Sequence, residues 1–108
     1  MKYIITESKF DSLVRNYIDD VLSGFEVKTN EFSHSIVDDV IINNGVVIGE
    51  IMSRKDGKKF VIMDSKFFYT TLELFGLSID DAKQFFLEWM NKNLDGEFVN
   101  INTYPLNT

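Results

Sequence analysis

Apolar and polar positions alternate along this chain with two different periods, and the switches between them mark its elements. Phe10, Leu13, Val14, Tyr17, Ile18, Val21 and Leu22 recur at the spacing of one helix face. That pattern predicts a helix from about Glu7 to Ser23. Thr6 stands where an N-cap hydroxyl accepts a first-turn N–H. Ile5 and Phe10 occupy the two positions of a hydrophobic staple, and Gly24 follows where a left-handed residue would end the helix. Tyr3-Ile4-Ile5, ahead of the helix, reads as a short strand.

The period then falls to two. Phe25 and Val27 alternate with polar residues, as do Phe32, His34 and Ile36 beyond a polar Thr29-Asn30-Glu31 link. Val40-Ile41-Ile42 and Val46-Val47-Ile48 flank Asn43-Asn44-Gly45, a hairpin signal because Asn and Gly accept positive φ. Lys55-Asp56-Gly57-Lys58 makes the next turn, joining Gly49–Arg54 to Lys59–Met63. A three-strand meander results, with a fourth strand before it. Helical spacing returns from about Ser65, read as a cap, to Phe75, with Gly76 as the stop. Ser78 caps a second helix, and Asp80 and Asp81 favour its positive end. Ile79, Ala82, Phe85, Phe86, Trp89 and Met90 form its apolar face. Asp95-Gly96 ends that helix, Phe98 to Tyr104 alternates as a final strand, and Pro105 stops it.

These elements predict a single α+β domain over residues 1–108. An antiparallel β-meander sheet carries an N-terminal helix and a C-terminal αα-hairpin packed on it, and the chain ends in a short strand. Strand order stays open: the terminal strands sit at edges or pair with each other.

Composition narrows the class. Hydrophobic residues make up 44% and charged residues 26% of the 108, the balance of a folded domain. With no Cys, disulfides, thiolate metal sites and a Cys nucleophile are excluded. The net charge of −6 repels phosphate backbones, so no nucleic-acid partner is expected. No apolar run approaches the ~18 residues of a membrane span, and the opening residues lack a secretory signal. The expected setting is soluble and cytoplasmic, without membrane attachment.

Candidate chemistry is sparse. His34, the sole His, lies in the Phe32–Ile36 run between Ser33 and Ser35, which alternation sends to the opposite face. Asp19-Asp20, Asp38-Asp39 and Asp80-Asp81 are doublets. Adjacent residues diverge by about 100° on a helix and about 180° on a strand, so neither geometry gathers a doublet at one point. Arg54, Lys55, Lys58 and Lys59 cluster at a hairpin tip, where solvation is the ordinary role of such charges. The helix–Gly76–helix outline resembles a DNA-binding helix pair, but its groove-entering end would carry Asp80 and Asp81. No metal, cofactor or catalytic set is expected.

Aromatic residues are in surplus, with ten Phe, four Tyr and one Trp. Phe67-Phe68-Tyr69 sweeps about 200° around one helix, and Phe85-Phe86-Leu87 does the same on the next, with Trp89 and Met90 beyond. One sheet face needs a narrower stripe. Either the two helices bury each other's flanks, or part of this surface meets a protein partner or a second copy.

The opening Lys2-Tyr3-Ile4-Ile5-Thr6-Glu7-Ser8-Lys9-Phe10 resembles the start of short uncharacterised proteins of tailed bacteriophages and marine viral metagenomes. Leu74-Phe75-Gly76-Leu77-Ser78, an acidic helix and Glu88-Trp89 resemble the C-terminal part of such proteins. The resemblance covers about a third of the chain, implies a viral origin and a host-cytoplasm location, and carries no catalytic residues. The leading expectation is therefore a small non-catalytic interaction protein. One alternative is an acidic decoy for a nucleic-acid-binding protein. The other is a small-ligand protein or enzyme built around His34 or Asp38-Asp39.

Overall fold

The computed structural model describes residues 7–30 and 36–106. The short strand at Tyr3-Ile4-Ile5, the Thr6 cap, the Ile5 half of the staple and the Phe32–Ser35 part of the second alternating run lie outside the described residues. Ile36, the one described member of that run, sits in a bend. Helix α1 (Glu7–Val21) leads into β1 (Phe25–Thr29), β2 (Asp39–Asn43), β3 (Val46–Ser53) and β4 (Lys59–Asp64). Helices α2 (Ser65–Phe75) and α3 (Ile79–Asn93) then precede β5 (Phe98–Tyr104).

The sheet runs β1-β2-β3-β4-β5, and its first four strands form the expected antiparallel meander. Asn44 and Gly45 both take positive φ, 52° and 80°, so the β2–β3 turn twists with its strands. Opposite Ile41 the register slips, leaving Ile48 as an extra residue on β3.

One feature of the expected sheet is corrected. β5 pairs with β4 in parallel, Lys59 opposite Phe98 and Val61 opposite Ile101, so the sheet is mixed. Parallel neighbours need a crossover, and α2 with α3 supplies it. At 1.5 Å per residue α3 covers about 22 Å, close to the roughly 20 Å length of β4. The chain therefore returns to the starting end of β4 before β5 begins.

The helices lie on one face of the sheet. Val14, Ile18 and Leu22 of α1, Phe68 of α2, and Ala82, Phe86 and Met90 of α3 share a core with Ile41, Ile51, Val61, Met63 and Ile101. Strand alternation places those sheet residues on a common side.

Two boundary details differ from expectation. Asp64, not Ser65, caps α2: its carboxylate accepts the Phe67 N–H at 3.3 Å, and Ser65 is already helical. β4 runs into α2 with no loop between them, so the last strand residue becomes the cap. Gly24 is not in the left-handed region. α1 ends in a tightened turn, Ser23 N–H to Asp20 C=O at 3.2 Å. Gly24 instead makes room: a Cβ there would lie 2.7 Å from Asn44 Oδ1. Gly76 (φ 63°) and Ser78, which accepts the Asp81 N–H at 3.1 Å, terminate and start helices as expected.

Candidate functional surface

The seven aromatic and Met positions of α2 and α3 fall mostly inside the fold. Phe68, Phe86, Trp89 and Met90 are buried, and Phe67 and Phe85 are half-buried against the same core. Tyr69 is 38% exposed. Phe86 stacks obliquely on Phe67 and Phe68, with centroids 5.9 and 5.7 Å away, and Trp89 meets Phe25 edge-on at 4.9 Å. Their width around each helix has a geometric cause: α3 packs against α1, α2 and β5 together. A helix with neighbours on three sides buries a broad apolar arc.

Among the described residues the polar candidates converge at one place only, around Asp39. His34, Ser33 and Ser35 lie outside the described residues. Asp19 and Asp20 are exposed on α1, and Asp80 and Asp81 are exposed at the start of α3. Asp39 lines a cleft with Lys59 and Asp95, while the backbone of Asp38 holds Asn30 and Ile51. Among the described residues no three acidic or His side chains are grouped to hold a metal ion. At the basic tip, Arg54 pairs with Asp56 at 3.3 Å and Lys58 with Glu97 at 4.0 Å, and Lys59 Nζ donates to Asp95 C=O at 3.2 Å.

Besides a cleft of about 320 Å³ along Phe10, Asp81 and Phe85, three concavities in the described surface bear on the candidates. A groove of about 140 Å³ between α1 and α3 is lined by Arg15, Phe85, Glu88 and Trp89. It falls short of the ~300 Å³ at which small-molecule sites begin. Arg15 lies over the Phe85 ring at 5.5 Å and donates to Glu88 at 3.0 Å. The hydrogen bond to Glu88, then its charge, raise the already high pKa of Arg15. Both side chains are about half exposed, so the pair adds little to stability.

A larger cleft of about 380 Å³ lies between Tyr17, the β2–β3 turn and the start of α2. Most of its polar groups serve the scaffold. Asp64 accepts Phe67 N–H with one oxygen and Leu106 N–H with the other. Asn43 Nδ2 donates to Val21 C=O at 2.7 Å, and Thr70 Oγ1 to Lys66 C=O at 2.7 Å. Asn43 Oδ1 is buried without a hydrogen-bond partner, 3.8 Å from where a Cβ on Gly24 would stand. The third cleft, about 400 Å³, opens beside Val27 and Ile51 and contains Asp39, Lys59 and Asp95.

The sheet's two edges are treated differently. At β5 the side chain of Asn91 acts as a substitute strand, accepting Phe98 N–H at 2.8 Å and donating to Phe98 C=O at 3.1 Å. This blocks one end of that edge. At β1 no strand pairs with the outer edge among the described residues, and Glu26 to Thr29 are all exposed. Asn30 N–H reaches Asp38 C=O at 2.9 Å, in register with the β1–β2 pairs. Hydrogen-bonded pairs recur every second residue, so Glu26 and Lys28 bond to β2. Val27 and Thr29 point their N–H and C=O groups away from the sheet. The Phe25 N–H is taken by Leu22 C=O at 3.1 Å.

The period-two pattern of Phe25-Glu26-Val27-Lys28 was visible in the sequence, but its edge position was not. No protein-family model matches this chain, and no curated protein or solved structure matches it.

Proposed function

We propose that this chain is a small non-catalytic protein-interaction domain that takes up an extended partner segment beside β1. The observation that carries this reading is the outer edge of β1, where Val27 and Thr29 present main-chain donors and acceptors that no strand among the described residues pairs. Strand addition uses such groups for affinity and alternate side chains for specificity. Acidic-decoy action has less support, because Glu88, Asp56 and Glu97 face Arg15, Arg54 and Lys58 and leave the signs interspersed. A ligand-site reading has its best footing at the 400 Å³ cleft that holds Asp39 and Asp95, but its cation, Lys59, already donates to Asp95 C=O, and the 380 Å³ cleft has Asp64 and Asn43 Nδ2 committed to the scaffold.

The test is a titration of dilute, isotope-labelled protein with short extended peptides of alternating Val, Lys and Glu. Amide shifts confined to Phe25–Thr29 are expected. Val27→Pro removes an outward N–H, leaves the β1–β2 ladder intact, and should weaken peptide binding by at least about tenfold. Shifts gathered at the clefts or along α2 and α3, or no shifts with any peptide, would contradict the reading.

A further inference from the structure

We infer that the strand added to β1 is β1 of a second copy of this chain, which rests on the strand-addition reading above. The geometry of the edge is self-complementary. Two β1 strands placed antiparallel about a two-fold axis through Val27 set Val27 opposite Val27 of the second copy. Val27 is an outward-bonding residue, so this central pair exchanges N–H···O=C bonds in both directions. Thr29 N–H then meets Phe25 C=O of the second copy, and the reverse bond follows by symmetry. A centre at Glu26 or Lys28 would also pair the outward groups, but it would set Glu26 or Lys28 against its own copy, like charge opposite like charge.

Charge supports the same register. Centring on Val27 puts Glu26 opposite Lys28 of the second copy and Lys28 opposite Glu26. These fall at non-hydrogen-bonded positions, where opposed side chains come closest. Each copy carries a net charge of −6 and the copies repel overall. β1 itself is neutral, with one Glu and one Lys among its five residues. Val27 is 42% exposed, and the seam brings its side chain against its own symmetry mate. β5 lacks this charge pattern, and Asn91 already occupies the first residue of that strand. The expected assembly joins two sheets through a short seam, so the dimer is weak and concentration-dependent.

Sedimentation velocity from about 10 μM to about 1 mM, a range that spans weak association, tests the pairing with charge variants. The wild-type chain should pass from monomer to dimer. Glu26→Lys alone or Lys28→Glu alone places like charges opposite each other and should weaken self-association about tenfold. An equimolar mixture of the two single variants restores both attractive pairs and should dimerise like the wild type, as should the double swap E26K/K28E. Both altered positions are solvent-exposed, and circular dichroism confirms that each variant is folded. A wild-type chain monomeric throughout, or a dimer indifferent to both single swaps, overturns the inference. If peptides still add at β1 in that case, strand addition survives and only the identity of the partner fails.

Discussion

Replacing Phe86 by alanine is expected to reduce folding stability by about 3–5 kcal/mol. Phe86 has 0% exposure and touches Phe67 and Phe68 through its ring. Its removal leaves a cavity where α2, α3 and the sheet meet, and neighbours held by three elements cannot collapse into it. Domains of this size have about 5–15 kcal/mol of total stability, so the variant should be near the limit of folding. By contrast Leu74→Ala, on an exposed part of α2, should change stability by less than about 0.5 kcal/mol. Urea denaturation of both variants reads the difference. A stable F86A chain that had lost only an association would move the aromatic surplus back to an interface.

Asp64→Ala is expected to reduce stability by about 2–4 kcal/mol. Asp64 is 7% exposed and accepts two main-chain N–H groups, Phe67 at 3.3 Å and Leu106 at 2.9 Å. Loss of an N-cap costs about 1 kcal/mol, and a donor left unsatisfied in a partly buried site adds about 1–3 kcal/mol. The second contact ties the chain beyond β5 to the β4–α2 junction, 42 residues earlier. Asp64→Asn keeps one acceptor oxygen and should recover part of the loss. Ser65→Ala, which would be the damaging change if Ser65 were the cap, should fall within about 0.5 kcal/mol of wild type. Equal effects at 64 and 65 in urea titrations would refute the assignment.

Most elements were legible because they are encoded locally. The Val14-Ile18-Leu22 spacing, the Asn44-Gly45 turn, Ser78 before Asp80-Asp81, and the Phe98–Tyr104 alternation each specify an element from a few neighbouring residues. The misreadings concern relations between distant residues. Alternation in β5 is the same in either direction, so its parallel pairing with β4 could not be read from Phe98-Val99-Asn100. Asp64 and Ser65 are both competent caps, and only the direct run of β4 into α2 selects Asp64. Gly24 resembles a left-handed stop, yet the side chain it accommodates, Asn44, is in a different element. Likewise the wide aromatic arcs of α2 and α3 signalled either a partner or extra neighbours. The close approach of α1 to α3, absent from any local pattern, supplies those neighbours. The edge status of β1 is also a tertiary property, and Glu26 and Lys28 became informative only once the register with β2 was known.

Amide exchange at β1, followed residue by residue as protein concentration rises, tests the docking edge most directly. Glu26 and Lys28 donate into the sheet and should exchange slowly at every concentration. Val27 and Thr29 should exchange fast in dilute solution and slow by about tenfold once most chains are paired. Val27 and Thr29 remaining fast at the highest concentration, or protection growing instead along α2 and α3, would contradict a strand-accepting edge at β1.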